Sequence, residues 1–471
     1  MSEQRPDTHH KALRINLDAR RYGTFAEIGA GQEVARWFFQ VGGASGTVAK
    51  TISAYDMAVS DAVYGASGRY VSRQRLQSML DREYTLLLER LDTPRGAETA
   101  FFAFADTVAA RSYSHAEDGR GWLGVRWQTS PHSEAAQIIV HARMWDRDNA
   151  HQQEALGILG VNLIYGAFYL HAQPEELIGA LMDDLTRDRM EIDLIRFSGP
   201  AFARVDNRLM SLQLVQQRLT NAAVFTAAGE AVEPAELIHR KPVLIERGSF
   251  RPVTNVTYDM LTRSLVQMRS ESDPPGPEPV VLMEMTLRHL EATGPAIDHT
   301  DFLARVDTLS VLGLTVMISN YSRFYNVAGY LRRYTRDRVG MVLGVPTLAR
   351  LFEERFYPDL DGGLLEAMGL LFKGPVVLYV YPWKNNRTGE MVTVDNFRVP
   401  SHLQHLYAYL RARGHITSIR DTEVVDQPIL PRGVLALIQA GDPAWETVVP
   451  ARVVEEIKAR RLFGFRESGP R

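Results

Sequence analysis

Between Val280 and Val345, three short apolar runs alternate with two amphipathic segments, and few architectures accommodate that spacing. Val280-Val-Leu-Met-Glu-Met-Thr286, Leu314-Thr-Val-Met-Ile-Ser-Asn320 and Val339-Gly-Met-Val-Leu-Gly344 read as strands, while residues 301–309 and 327–334 read as helices. Unbroken apolar runs mark strands covered on both faces, and helical crossovers between them make the sheet parallel. Further runs at 192–197, 222–226, 243–246, 376–381 and 416–419 extend the alternation through an α/β domain at 191–460, followed by a polar tail at 461–471. Such a set forms a doubly wound open sheet or, alternatively, a (β/α)8 barrel.

A module of different character precedes it. Residues 1–20 are polar and read as a mobile arm, and 21–190 read as an α+β module. A β-prone run at 24–28 leads into Gly29-Ala-Gly31 and a helix at 32–40; Gly42-Gly-Ala-Ser-Gly46 then leads into a second helical stretch at 47–61. Glycine-rich turns that open helices present free N–H groups and a positive dipole end to an anion. Neither turn completes a known phosphate motif. A dinucleotide fingerprint wants Gly or Ala where Val34 stands, and a Walker A loop wants lysine directly after its last glycine, whereas Lys50 lies four residues past Gly46. Gly29, Gly31, Gly46 and Lys50 are therefore either phosphate ligands or parts of tight turns.

Residues 71–91 form a charged helix with one apolar face, and 100–113, 121–128 and 137–145 read as three strands of an antiparallel meander. Period-2 alternation places Asp106 on the face of Phe102, Phe104 and Val108. A carboxylate among phenylalanines needs a partner, and Arg111, Arg126 and Arg143 occur on the same strands. Two readings follow: a structural Asp–Arg pair, or an anion pocket lined by arginine in which Asp106 or His141 transfers a proton. The apolar helix at 149–171 carries Gly157, Gly160 and Gly166, which suits central packing or a subunit interface.

In a parallel sheet, ligands gather beyond the carboxyl ends of the strands. The residues there are polar: Glu246-Arg247-Gly-Ser-Phe-Arg251, Glu284, Asn320-Tyr-Ser-Arg323 and Lys384-Asn-Asn386. Arg247, Arg251, Asn320, Arg323 and Lys384 would converge on an anion, with Glu246 or Glu284 as base. His402 and His405 sit three apart on a helix with no third ligand in view, so no metal site is expected.

At 471 residues the chain exceeds what one hydrophobic core serves. A net charge of −3, with arginines scattered rather than blocked, points away from nucleic acid and from anionic membrane surfaces. The absence of cysteine removes disulfides, thiolate catalysis and thiolate-bound metals. With no apolar leader and no run of about 18 uncharged apolar residues, the expectation is a cytoplasmic α/β protein binding a phosphorylated or nucleotide-like small molecule, as a transferase or hydrolase. The rival is a self-assembling scaffold, a homo-oligomer without catalysis, built through the glycine-bearing helix and the meander. No cofactor is indicated.

Four stretches carry a resemblance over nearly the whole chain: Arg21-Tyr-Gly-Thr-Phe-Ala-Glu-Ile-Gly-Ala-Gly-Gln-Glu33, Gly46-Thr-Val-Ala-Lys-Thr-Ile-Ser-Ala-Tyr-Asp56, Phe250-Arg-Pro-Val-Thr254 and residues 325–334. They resemble a widespread bacterial family of uncharacterised proteins of about this length. Its members bear the automatic names nicotinate-nucleotide adenylyltransferase or TonB-dependent receptor. The first activity needs an H-x-G-H element after the first strand, where this chain offers only Gly414-His415, late and without the first histidine. The second needs a signal peptide and many alternating lipid-facing strands, which the sequence lacks. The resemblance thus implies a bacterial, soluble context and no residue roles.

Overall fold

The computed structural model describes residues 5–29, 31–111, 118–271, 276–291, 294, 296–385, 388–422 and 431–466, so Asn386 lies outside the described residues. The chain divides into two compact units, Met1–Asn221 and Ala222–Arg471. Both are α/β, with mixed sheets. Among the described residues no helix is long and apolar enough to cross a membrane.

In the first unit six strands form one sheet: β1 (Arg21–Gly29), β2 (Val48–Ile52), β3 (Ala100–Ala109), β4 (Gly119–Trp127), β5 (Ala136–Met144) and β6 (Met190–Ser198). Their order is β2-β1-β3-β4-β5-β6; β1 is parallel to β2 and β3, and every later pair is antiparallel. The helices are α1 (Thr8–Asn16), α2 (Glu33–Gln40), α3 (Met57–Tyr64), α4 (Arg73–Arg95), α5 (Asn149–Tyr169), α6 (Pro174–Ala180) and α7 (Asn207–Gln216). One sheet face carries Phe25, Phe102, Phe104, Leu123 and Ile138, and packs in one core with α1, α2 and α5. The other face meets α4, whose Leu80 and Leu76 close over Gly124.

Three expectations are corrected here. The segment read as a mobile arm contains α1, whose start is capped by Asp7. Its Lys11 is 1% exposed, and Nζ donates to Asn162 and Asp183, both at 2.7 Å, so this lysine is a buried anchor. The stretch read as a second helix at 47–61 instead begins with β2, since β-branched Val48, Thr51 and Ile52 extend alongside β1. Lastly, 192–197 does not open the C-terminal sheet. It lies in β6, antiparallel to β5. An apolar run signals a buried strand without saying which sheet completes it.

The glycines of α5 serve internal packing. From Ala155 to Phe168 the helix is buried, with Gly160 against Val34 and Gly157 against Glu33 and Trp37 of α2. A Cβ on Gly160 would come within 2.3 Å of Val34 Cγ2. Gly160→Ala should therefore destabilise the protein by about 1–3 kcal/mol. Gly68→Ala, with nothing within 4 Å of the added carbon, is the matched control that should leave the melting temperature unchanged.

The second unit holds an eight-stranded sheet made of β7 (Ala222–Phe225), β8 (Ala231–Val232), β9 (Val243–Arg247), β10 (Val280–Thr286), β11 (Thr315–Ser319), β12 (Val339–Gly344), β13 (Val376–Tyr381) and β16 (Ile416–Ser418). A separate hairpin, β14 (Trp383–Lys384) with β15 (Met391–Val392), follows β13. The order is β16-β13-β12-β9-β10-β11-β7-β8, an open sheet with β16 and β8 at its edges. Strands β9 to β13 and β16 are mutually parallel where they pair, whereas β7, expected to be parallel, is antiparallel to β11. Numbered along the chain, the six parallel strands run 6-5-4-1-2-3, a strand order of doubly wound sheets.

The connecting helices are α8 (Pro234–Ile238), α9 (Asn255–Ser270), α10 (Leu287–Glu291), α11 (His299–Ser310), α12 (Phe324–Leu331), α13 (Val345–Leu351), α14 (Gly363–Leu371), α15 (Gln404–Ala412), α16 (Pro431–Ala440) and α17 (Ala451–Arg460). Helices α12 to α15 share a core with Val243, Ile245, Leu282 and Met341. On the opposite face Tyr381 donates to Asp259 of α9 at 2.5 Å. Side-chain oxygens of Thr254 and Asp298 accept from the first turns of α9 and α11, so both helices start at a capping residue.

Candidate functional site

The chain leaves β9 for β10 and β11 on one side and returns to β12 on the other, which makes the carboxyl end of β9 the switch point of the sheet. Glu246 and Arg247 end β9 on opposite faces. Glu246 sits in register between Met283 of β10 and Val342 of β12. It is 4% exposed, and its Oε2 has no hydrogen-bond partner among the described residues. Burial raises its carboxyl well above the ordinary range, which favours its uncharged form.

Arg247 is not a free anion ligand. Its Nε and Nη2 donate to Glu284 Oε2 and Oε1 at 2.7 and 2.8 Å, Ser319 donates to the same carboxylate at 2.5 Å, and the guanidinium lies 4.6 Å from the centre of the Phe324 ring. Glu284, expected as base, is thereby committed as an ion-pair partner. Arg251 likewise donates to Asp301 at 2.5 Å, and Asp301 also holds the buried Arg305, which reaches back to the Ser249 carbonyl at 3.1 Å. Spacing alone could not show these carboxylates, because Asp301 lies 50 residues from Arg251.

The turn between β9 and α9 holds Phe250 at a φ of 45°, a left-handed conformation that bulky residues rarely adopt. Such a residue costs roughly 1–3 kcal/mol, and strain of this kind concentrates at ligand sites. Nearby, His289 is held below its ordinary pKa by burial and then by Arg247, so it is neutral, and its buried Nδ1 has no partner among the described residues. Arg323 follows Ser322, whose carbonyl accepts from Arg247 at 3.4 Å. It packs over Phe356 and has no carboxylate partner among the described residues. Asn320 is exposed just past β11, whereas Lys384 is exposed on the β14–β15 hairpin, beyond a strand two removed from β9.

In the first unit the expected joining of Asp106 to arginine does not occur. Asp106 does share the face of Phe102, Phe104 and Leu123, but Arg126 and Arg143 point from the opposite face. Arg126 pairs with Asp81, and Arg143 donates to Asp193 at 2.9 Å. His141 contacts the same Asp193 at 2.5 Å, and against the effect of burial these two hold the Asp193 carboxyl below its usual range. Arg126 also lines a polar pocket of about 290 Å3 with Arg196, Gln77 and Gln137.

The neighbour of Asp106 is a second acid, Glu27, directly opposite it across β1 and β3. Asp106 is fully buried with neither oxygen hydrogen-bonded among the described residues; burial and then Glu27 raise it far above an ordinary carboxylate. Glu27 accepts from the Val34 and Ala35 N–H groups at 2.9 and 3.4 Å, so the start of α2, one of the two alternative phosphate sites, is occupied by the chain's own carboxyl. Gly29 and Gly31 shape this turn. Gly29 has φ 82°, and a Cβ on Gly31 would lie 2.0 Å from Asp106 Oδ1. Gly46 lies in a short 3-10 turn before β2, and Lys50, on β2, pairs with Glu83. Glu27 also lines a cleft of about 410 Å3 at the carboxyl ends of β1 and β2.

No protein-family model and no curated protein matches the chain. Among solved structures it is similar to the competence/damage inducible protein CihA from Agrobacterium tumefaciens, with 19% identity over 35% of this chain and 97% of that one and a TM-score of 0.26. It is also similar to competence-damaged protein (CinA) superfamily proteins from Klebsiella pneumoniae 700603 (18%, 34% and 95%, TM-score 0.25) and Escherichia coli (15%, 35% and 92%, TM-score 0.23). Values this low leave function to be argued from the chain's own residues.

Sequence reasoning missed Glu27, Asp301, Arg305 and His289. Each is unremarkable in its local stretch. Only Glu27 left a signal, an acid at an interior position of a β-prone run, which alternation flags as buried.

Proposed function

We propose that the C-terminal unit binds an anionic small molecule, phosphorylated or nucleotide-like, over the carboxyl ends of β9, β10 and β11. The observation that carries this reading is a charge imbalance at the switch point. Four guanidinium groups, of Arg247, Arg251, Arg305 and Arg323, gather against three carboxyl groups, Glu284 and Asp301 in ion pairs and Asp298 near Arg305. Burial raises the Glu246 carboxyl and lowers His289, both toward the uncharged form, so the cations outnumber the anions. Arg323 offers the most open of them, because no carboxylate faces it among the described residues. The paired arginines act as a rigid positive floor rather than as direct ligands. In a transferase or hydrolase at this site, the group suited to carry a proton is Glu246, with its unpartnered oxygen.

Isothermal titration with pyrophosphate and with ADP tests the proposal. Binding should weaken as salt rises, and Arg323→Ala should lower affinity about tenfold, the loss of one charge-assisted contact. No heat with either ligand at millimolar concentration, or equal affinity in Arg323→Ala, overturns it.

A further inference from the structure

The cleft at the carboxyl ends of β1 and β2 has a wall chemistry of its own. Glu27 forms its floor, Gln32 precedes α2, Arg36 and Gln40 stand along it, and Ser53 follows β2. Phe39, 56% exposed, supplies an apolar wall. Its volume of about 410 Å3 falls in the range of small-molecule pockets.

Donors dominate these walls. Arg36, which can only donate, uses one end of its guanidinium on Glu33, at 3.1 and 3.2 Å. Gln32 donates to Ser53 Oγ at 2.7 Å, which leaves the Ser53 hydroxyl proton for another acceptor. The Gln40 side chain makes no hydrogen bond among the described residues. A donor-rich cleft with a guanidinium suits a carboxylate.

An ionised Glu27 would repel such a group. Burial, joined by Glu33 and opposed by the Val34 and Ala35 N–H groups, pushes the Glu27 carboxyl up to about 8, so it keeps its proton at neutral pH. The charged groups around it are few. Burial and then Glu27 itself raise the Asp106 carboxyl on β3, Glu33 and Arg36 stand on α2, and Lys50 on β2 is joined to Glu83. The face of α5 against α2 presents Gly157 and Gly160.

We propose that this cleft binds a small organic acid as its carboxylate, which shares one proton with the Glu27 carboxyl while its hydrocarbon packs on Phe39. Bound acid and Glu27 then form a carboxyl–carboxylate pair, to which the end of the Arg36 guanidinium not used on Glu33 donates. Once Glu27 has ionised, binding must draw a proton from solvent, and affinity falls tenfold per pH unit.

Titration calorimetry with benzoate on the full chain tests this. In the wild type the affinity should be constant from pH 6 to 7 and about tenfold weaker per unit above about pH 8. Glu27→Gln keeps an oxygen for the Val34 N–H and should bind with an affinity independent of pH across that range. Arg36→Ala, at the exposed rim, should weaken binding about tenfold at every pH. Absence of benzoate binding at pH 6, a parallel loss with pH in Glu27→Gln, or unchanged affinity in Arg36→Ala overturns the proposal. None of these residues belongs to the C-terminal unit, so this result and the pyrophosphate result stand or fall separately.

Discussion

Glu284→Leu should destabilise the C-terminal unit by about 3–5 kcal/mol, the cost of leaving a buried charge without its partner. The stranded group is Arg247, whose side chain is 10% exposed against 1% for Glu284, so water cannot readily replace the carboxylate. The bidentate geometry at 2.7 and 2.8 Å also leaves the Ser319 hydroxyl without its acceptor when Glu284 is removed. Adding Arg247→Met to Glu284→Leu should restore at least half of the loss, because an apolar pair of similar volume needs no compensation. Urea unfolding of the two variants measures both numbers. If the double variant is no more stable than the single one, Arg247 is not trapped, and the view of it as a rigid floor of the anion site fails.

Between pH 4.5 and pH 8 the N-terminal unit should lose roughly 3–5 kcal/mol of stability through Glu27 alone. The sign follows from the direction of the shift. The carboxyl is raised in the folded protein from an ordinary value of 4.5 to about 8, so the folded state holds its proton more tightly than the unfolded one. Its contribution is complete below about pH 4.5, declines as the unfolded chain ionises, and is exhausted once the folded carboxyl ionises near pH 8. Asp106, raised in part by Glu27 itself, acts in the same direction, so the difference between wild type and Glu27→Gln reads the two acids as a pair. Glu27→Gln should be the more stable protein at pH 8, and its profile should lack one proton of slope. Parallel profiles in urea unfolding would show that Glu27 titrates as an ordinary surface acid.

Local pattern made much of the second unit legible. The runs from Val280 to Val345 became β10, α11, β11, α12 and β12 in chain order, because strands buried on both faces must be apolar throughout. Alternation also put Asp106 on the correct face, beside Phe102 and Phe104. It could not name its neighbour. Glu27 meets Asp106 through parallel pairing across 79 positions of chain, and nothing near either residue encodes that register. The run at 192–197 was recognisable as a strand but not as the last strand of the first sheet, since both possible sheets offer it a buried place.

Charge was the least legible property of all. Arg247, Arg251 and Arg323 stand at strand ends as the spacing of the apolar runs requires, and that much the sequence determined by itself. Which of them keeps its charge for a ligand was decided only by the tertiary structure, which brings Glu284 to Arg247 and Asp301 to Arg251 and leaves Arg323 without a carboxylate among the described residues. The reason is one of range. Periodicity is set by steric and hydrophobic preferences within a few residues, whereas the ionisation and pairing of a side chain depend on groups dozens of positions away that burial forces into contact.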